Sequence, residues 1–108
     1  MEVWLKIGVV IDKINTPLVT LCEAVALIWG EYGVHCVITS GTEGKHMEGS
    51  LHYKNLAWDL RTRNLKDPGS AADKLREKLG KDWDVLYGDK YHLDHIHVEF
   101  QPKGKKNG

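Results

Sequence analysis

Leu56-Ala57-Trp58-Asp59-Leu60-Arg61 and His95-Ile96-His97-Val98-Glu99-Phe100-Gln101 share one pattern. In the first, Leu56, Trp58 and Leu60 alternate with Ala57, Asp59 and Arg61. In the second, Ile96, Val98 and Phe100 alternate with His95, His97, Glu99 and Gln101. A period of two marks a strand with one face on a core and the other toward water. If the two strands are neighbours in an antiparallel sheet, Asp59 and His97 converge on its polar face. The pattern assigns faces and leaves the strand order open.

Working outward, Val3 to Ile14 is rich in β-branched residues, with Val3, Leu5, Ile7 and Val9 at period two, and predicts at least one strand. Thr16-Pro17 reads as an N-cap followed by proline at the first helical position. Leu18, Leu21, Cys22, Val25, Ile28 and Trp29 then recur at helical spacing, so a helix over 17–32 buries one face and stops at Gly33. Val34 to Thr39 is a short strand, and Ser40-Gly41-Thr42-Glu43-Gly44 a turn-rich loop. Asp67-Pro68, or Ser70, opens a second helix through Leu75 and Leu79 that ends at Gly80. Trp83 to Tyr87 is another strand. The expected fold is α+β: a single domain with a central antiparallel sheet and two main helices.

The chain has 108 residues, enough for one modest core. Its formal net charge is zero, which gives no electrostatic argument for a nucleic-acid partner. No apolar run is long enough to span a membrane. Lys6 and Asp12 interrupt the apolar N-terminus and no small-residue cleavage site follows, so a strand is expected there and not a signal peptide. Cys22 and Cys36 are the only cysteines; both fall in apolar patterns and are expected to be reduced and buried. Trp4, Trp29, Trp58 and Trp83 are read as core or sheet-packing aromatics, and His35 as structural. Tyr53, Tyr87, Tyr91 and His92 are read as cleft-lining candidates or surface residues. Residues 103–108 form a basic tail outside the 1–102 domain.

The chemistry concentrates in Ser50-Leu51-His52-Tyr53-Lys54-Asn55-Leu56-Ala57-Trp58-Asp59 and Asp94-His95-Ile96-His97. His52, Asp59 and His97 make a three-ligand set, and a catalytic zinc takes three protein groups and leaves a fourth position to water. Asp94 is then a spare carboxylate available as a general base. Glu99 reads either as a partner for a ligand histidine or as an exposed strand residue.

These two runs resemble the pattern S-x-H-x-x-G-x-A-x-D, followed far downstream by an acidic residue three positions before a histidine. That pattern belongs to zinc peptidases of bacterial cell-wall peptides: D-alanyl-D-alanine carboxypeptidases, D-Ala-D-Ala dipeptidases of vancomycin resistance and phage L-alanyl-D-glutamate endopeptidases. The hedgehog signalling domain shares their fold. The matching residues are Ser50, His52, Ala57, Asp59, Asp94 and His97. The resemblance implies a hedgehog/DD-peptidase-like fold and a zinc ion on His52, Asp59 and His97. It implies Asp94 as the catalytic acid/base, with His95 beside it orienting substrate or stabilising charge. Asn55 stands where the family has glycine, and asparagine tolerates a left-handed backbone. Glu43 stands in the region of a family arginine. Lys45, His46 and Ser50 are candidates for substrate or oxyanion contacts, with Arg61 and Arg63 as further cations.

The resemblance thus implies a zinc metallopeptidase of peptidoglycan stem peptides, either a carboxypeptidase or an endopeptidase such as a phage or prophage endolysin. It is expected to be a monomer whose partner is the wall peptide, with no nucleic acid and no membrane span. Synthesis in the cytoplasm without a signal peptide fits a lysin that reaches the wall after release. The competing class is a non-catalytic zinc-containing domain that binds a wall peptide or protein.

Overall fold

The structure is a computed structural model that describes residues 2–43 and 51–102. The elements run β1 (Val3–Leu5), α1 (Thr16–Glu31), β2 (Cys36–Ser40), a 3-10 turn (Leu51–Lys54), β3 (Ala57–Arg61), α2 (Pro68–Leu79), β4 (Trp83–Leu86) and β5 (His95–Phe100). They form an α+β domain with one five-stranded sheet in the order β1-β2-β3-β5-β4.

The sheet is mixed, which corrects the antiparallel expectation. β2, β3, β5 and β4 pair antiparallel, but β1 runs parallel to β2 at the edge. The cause is the connection: α1 carries the chain back between β1 and β2, and a helical crossover returns it in the same direction. The strand expected within Val3 to Ile14 lies at Val3–Leu5. Gly8 has φ 97 and turns the chain soon after Leu5. Beyond it, Val10 leaves the ladder and binds Thr42, whose N–H donates to the Val10 carbonyl at 2.7 Å.

Helix α1 begins one residue earlier than expected. Asn15, not Thr16, is the N-cap; its Oδ1 accepts from the Leu18 N–H at 2.9 Å. Asn15 Nδ2 also donates to the Asn55 carbonyl at 2.9 Å, which ties the helix start to the turn before β3. The helix ends at Glu31 with Tyr32 as its C-cap, and Gly33 follows with a φ of 75 that suits glycine. Helix α2 follows its sequence signals. Asp67 caps it by accepting from the Ser70 N–H, and Gly80 with φ 85 ends it.

The core lies between the helices and one face of the sheet. Leu21, Val25 and Trp29 of α1 and Leu75 of α2 meet Ile38, Trp58, Leu60, Ile96 and Val98 of the strands, all buried. Trp58, Leu60, Ile96 and Val98 lie on the inner face, so the alternating Asp59, Arg61, His95 and His97 take the outer face. Trp83 sits at the core margin, while Trp4 departs from the core reading: on the edge strand it is 52% exposed and stacks on His35. Cys36 is buried and Cys22 partly so; both are free thiols, and burial pushes both up from the ordinary thiol pKa.

Candidate metal centre

The β3–β5 register builds the site. Asp59 and His97 are direct cross-strand partners, as are Arg61 and His95. Partners directly opposite in an antiparallel pair share a face, so the two histidines and Asp59 meet outside the core. His97 Nδ1 lies 2.8 Å from Asp59 Oδ1. His52, on the 3-10 turn that leads into β3, brings its Nε2 to 3.5 Å from the same oxygen. One ligand atom from each of His52, Asp59 and His97 falls within 4.8 Å of the others, so the group can hold a metal ion.

The surrounding hydrogen bonds decide which nitrogens face inward. His52 is buried, and its Nδ1 lies 3.0 Å from the Gly41 carbonyl. A carbonyl only accepts, so Nδ1 carries the hydrogen and neutral His52 presents the Nε2 lone pair. His97 Nε2 lies 2.8 Å from Glu99 Oε1. A hydrogen on Nε2 donates to Glu99 and leaves Nδ1 facing Asp59. Two imidazole lone pairs and a carboxylate then point at one another. Such a donor set repels itself unless a cation or a proton sits between its members, and it suits a divalent ion of nitrogen and oxygen preference.

Without a metal, protons fill that role. Burial raises the Asp59 pKa, but hydrogen bonds from His52 and His97 and the nearby imidazole charges outweigh it and hold the carboxyl far below its ordinary range. Burial also disfavours the charged form of His97, yet hydrogen bonds to Asp59 and Glu99 raise its pKa above the ordinary imidazole value.

The loop that orients His52 is itself fixed. Glu43 accepts from the backbone N–H groups of Val10 and Gly41, both at 2.9 Å. A Cβ on Gly41 would collide with the Val10 carbonyl oxygen, so glycine is required for this approach. Glu43 therefore acts as an acceptor that braces the loop, in the region where the resemblance implies an arginine. Asn55 adopts φ 56, so the left-handed turn survives without glycine. Its side chain adds contacts a glycine lacks: Nδ2 donates to the Lys13 carbonyl, and Oδ1 accepts from Trp58 Nε1 at 3.1 Å.

His95 and Asp94 border the centre. His95 Nδ1 lies 2.8 Å from Asp94 Oδ1, and its Nε2 is 3.9 Å from Asp59 Oδ1. Asp94 is almost fully exposed, and the hydrogen bond from His95 lowers its pKa. His92 packs its ring against both His95 and His97, at 5.3 and 5.4 Å, and is held by Asp89. Its proximity to the second motif run made it a lining candidate, but not a packing partner for two site histidines. The Gly41 carbonyl had no signal beyond a turn-rich loop. Lys45, His46 and Ser50 lie outside the described residues, as does the 103–108 tail.

No protein-family model matches the chain, and no curated protein matches it.

Proposed function

We propose that the chain is a zinc metallopeptidase that cleaves peptidoglycan stem peptides, on a hedgehog/DD-peptidase-like fold. The observation that carries this reading is the three-ligand group of His52, Asp59 and His97 beside a carboxylate–imidazole pair, Asp94 and His95, that is not part of it. Structural zinc sites are normally closed by four protein ligands, whereas catalytic ones leave a position open. Among the described residues the group has three. This favours an enzyme over a zinc-stabilised binding domain.

His52 Nε2, an Asp59 oxygen and His97 Nδ1 would hold the ion. When bound, zinc supplies Lewis acidity to the peptide carbonyl and to the attacking water. The chain's own groups do the rest. Asp94 takes the proton of the attacking water and returns it to the leaving amine. Its carboxyl, held below the ordinary value by His95, is ionised at neutral pH. His95 holds the Asp94 carboxylate through Nδ1. Its Nε2, 3.9 Å from Asp59 Oδ1, lies at the edge of the centre, where charge develops on the substrate oxygen. Glu99 and Gly41 fix the two ligand rings.

Purified stem peptides incubated with chelated and zinc-reconstituted protein test this reading. Zinc-dependent appearance of new amino termini is expected. Intact peptide in both reactions would refute it.

A further inference from the structure

Strand β1 and its flanks read Glu2-Val3-Trp4-Leu5-Lys6. The strand pairs with β2 at one side, and among the described residues no strand covers the other side. An open edge leaves a row of peptide N–H and C=O groups unpaired. The ladder decides which ones. The Lys6 N–H donates to the Ile38 carbonyl at 3.0 Å, and the register sets Leu5 beside Ile38. Peptide groups along a strand turn alternately to either side. Trp4 and Lys6 therefore bond toward β2, while Val3 and Leu5 turn theirs to the open edge.

The side chains alternate as well. Glu2, Trp4 and Lys6 share one face. Trp4 Nε1 donates to Glu2 Oε1 at 2.8 Å, and Lys6 borders the same outer-face groove as Asp59 and His95. Val3 and Leu5 take the opposite face. His35 stacks on the Trp4 ring at 4.8 Å and holds the indole in place, yet Trp4 remains 52% and Leu5 49% exposed. Two large apolar side chains beside open peptide groups favour a strand partner over water.

The segment is complementary to itself. In an antiparallel pair of two copies centred on Trp4, Trp4 faces Trp4, Val3 faces Leu5 and Glu2 faces Lys6. Val3 and Leu5 then make hydrogen-bonded pairs from the peptide groups that already point outward. Trp4 meets its counterpart as a non-hydrogen-bonded pair, where cross-strand side chains come closest. Each end of the contact sets a carboxylate against an ammonium, which fixes register more than strength. Parallel pairing in register would instead set Glu2 against Glu2 and Lys6 against Lys6.

We propose that β1 is a homodimerisation edge, at which a second copy of the chain adds its own β1 antiparallel across a two-fold axis at Trp4. The two five-stranded sheets become one, and both His52–Asp59–His97 groups lie on the same side of it. The contact is the same patch on both copies, so it closes on itself and does not propagate. The turn at Gly8 limits its length. The inference stands on the strand edge and not on the peptidase reading, and it replaces the monomer that the resemblance implies.

Sedimentation equilibrium of the full chain at low ionic strength tests this, over about 10 µM to 1 mM, the range in which a small interface fills. The parent should pass from monomer to dimer with no larger species. Glu2→Lys leaves two cations on each edge and Lys6→Glu two anions, so each variant alone should self-associate about tenfold more weakly. An equimolar mixture of the two restores both opposite-charge pairs and should associate as tightly as the parent. Leu5→Pro removes an N–H that the β1–β2 ladder does not use and the dimer does. It should weaken association about tenfold, as should Trp4→Ala, which removes the aromatic pair. Circular dichroism checks that each variant is folded; if Leu5→Pro is not, the mixture of charge variants decides. A parent that stays monomeric throughout would overturn the proposal. So would single charge variants that associate as well as the parent, a mixture no tighter than its components, or undiminished association of folded Leu5→Pro.

Discussion

His97 is clamped between two carboxylates: its Nδ1 lies 2.8 Å from Asp59 and its Nε2 lies 2.8 Å from Glu99. The clamp follows from strand geometry. Asp59 is its partner across the ladder, and Glu99 is the next residue on the same face of β5. Of the two readings the sequence left open, Glu99 is a hydrogen-bond partner of His97 and not an exposed strand residue.

Glu99 should therefore tune metal affinity without touching the ion. Glu99→Gln is expected to weaken zinc binding by about ten- to a hundredfold, the usual effect of losing the group behind a ligand imidazole. Competition against a chromophoric chelator measures it. Unchanged affinity would mean that the ring orients itself.

Asp94 should be separable from the metal. Asp94→Asn is expected to keep the zinc content and the fold and to lower peptide turnover by about a hundredfold or more. Loss of zinc, or full activity on stem peptides, would remove the acid/base role.

Much of this arrangement could be read in advance wherever the signal was local. Asp67-Pro68 and Gly80 bounded α2, and strict alternation assigned the faces of β3 and β5. That His52, Asp59 and His97 form one group was legible because they lie in short linear runs. Signals that depend on distant partners were not. Asn15 displaced Thr16 as the cap, aided by a bond to Asn55 far along the chain. Composition placed at least one strand between Val3 and Ile14 without its limits, which the turn at Gly8 sets. The Gly41 carbonyl and the packing of His92 depend on tertiary contacts that no spacing encodes.

Asn55 holds a left-handed backbone and two side-chain bonds, one buried and one partly buried. Asn55→Gly keeps the conformation but strands the Lys13 carbonyl and the Trp58 indole N–H. The expected loss is about 1–3 kcal/mol. Asn55→Ala should cost more, since alanine adds the strain of a positive φ. Denaturant unfolding of both variants measures the order. Greater stability of the alanine variant would contradict it.

Glu43 links stability to pH. Burial works against its charge, but hydrogen bonds from the Val10 and Gly41 N–H groups hold its pKa below the ordinary 4.5. A depressed carboxylate contributes stability that is fully present above the unfolded-state pKa and lost as pH falls through the folded-state value. Glu43→Gln should cost about 1–2 kcal/mol at pH 7, and the difference from the parent should shrink below pH 4.5. A difference that stays constant from pH 7 to pH 3 would exclude the charged acceptor as its source.

The most direct measurement is elemental analysis of the purified, zinc-equilibrated protein and of its His52→Ala and His97→Ala variants, each shown by circular dichroism to be folded. The three-ligand centre predicts about one equivalent of zinc in the parent and loss of most of it in both variants. Full retention of zinc in both folded variants, or none in the parent, would contradict the centre on which the proposed chemistry depends.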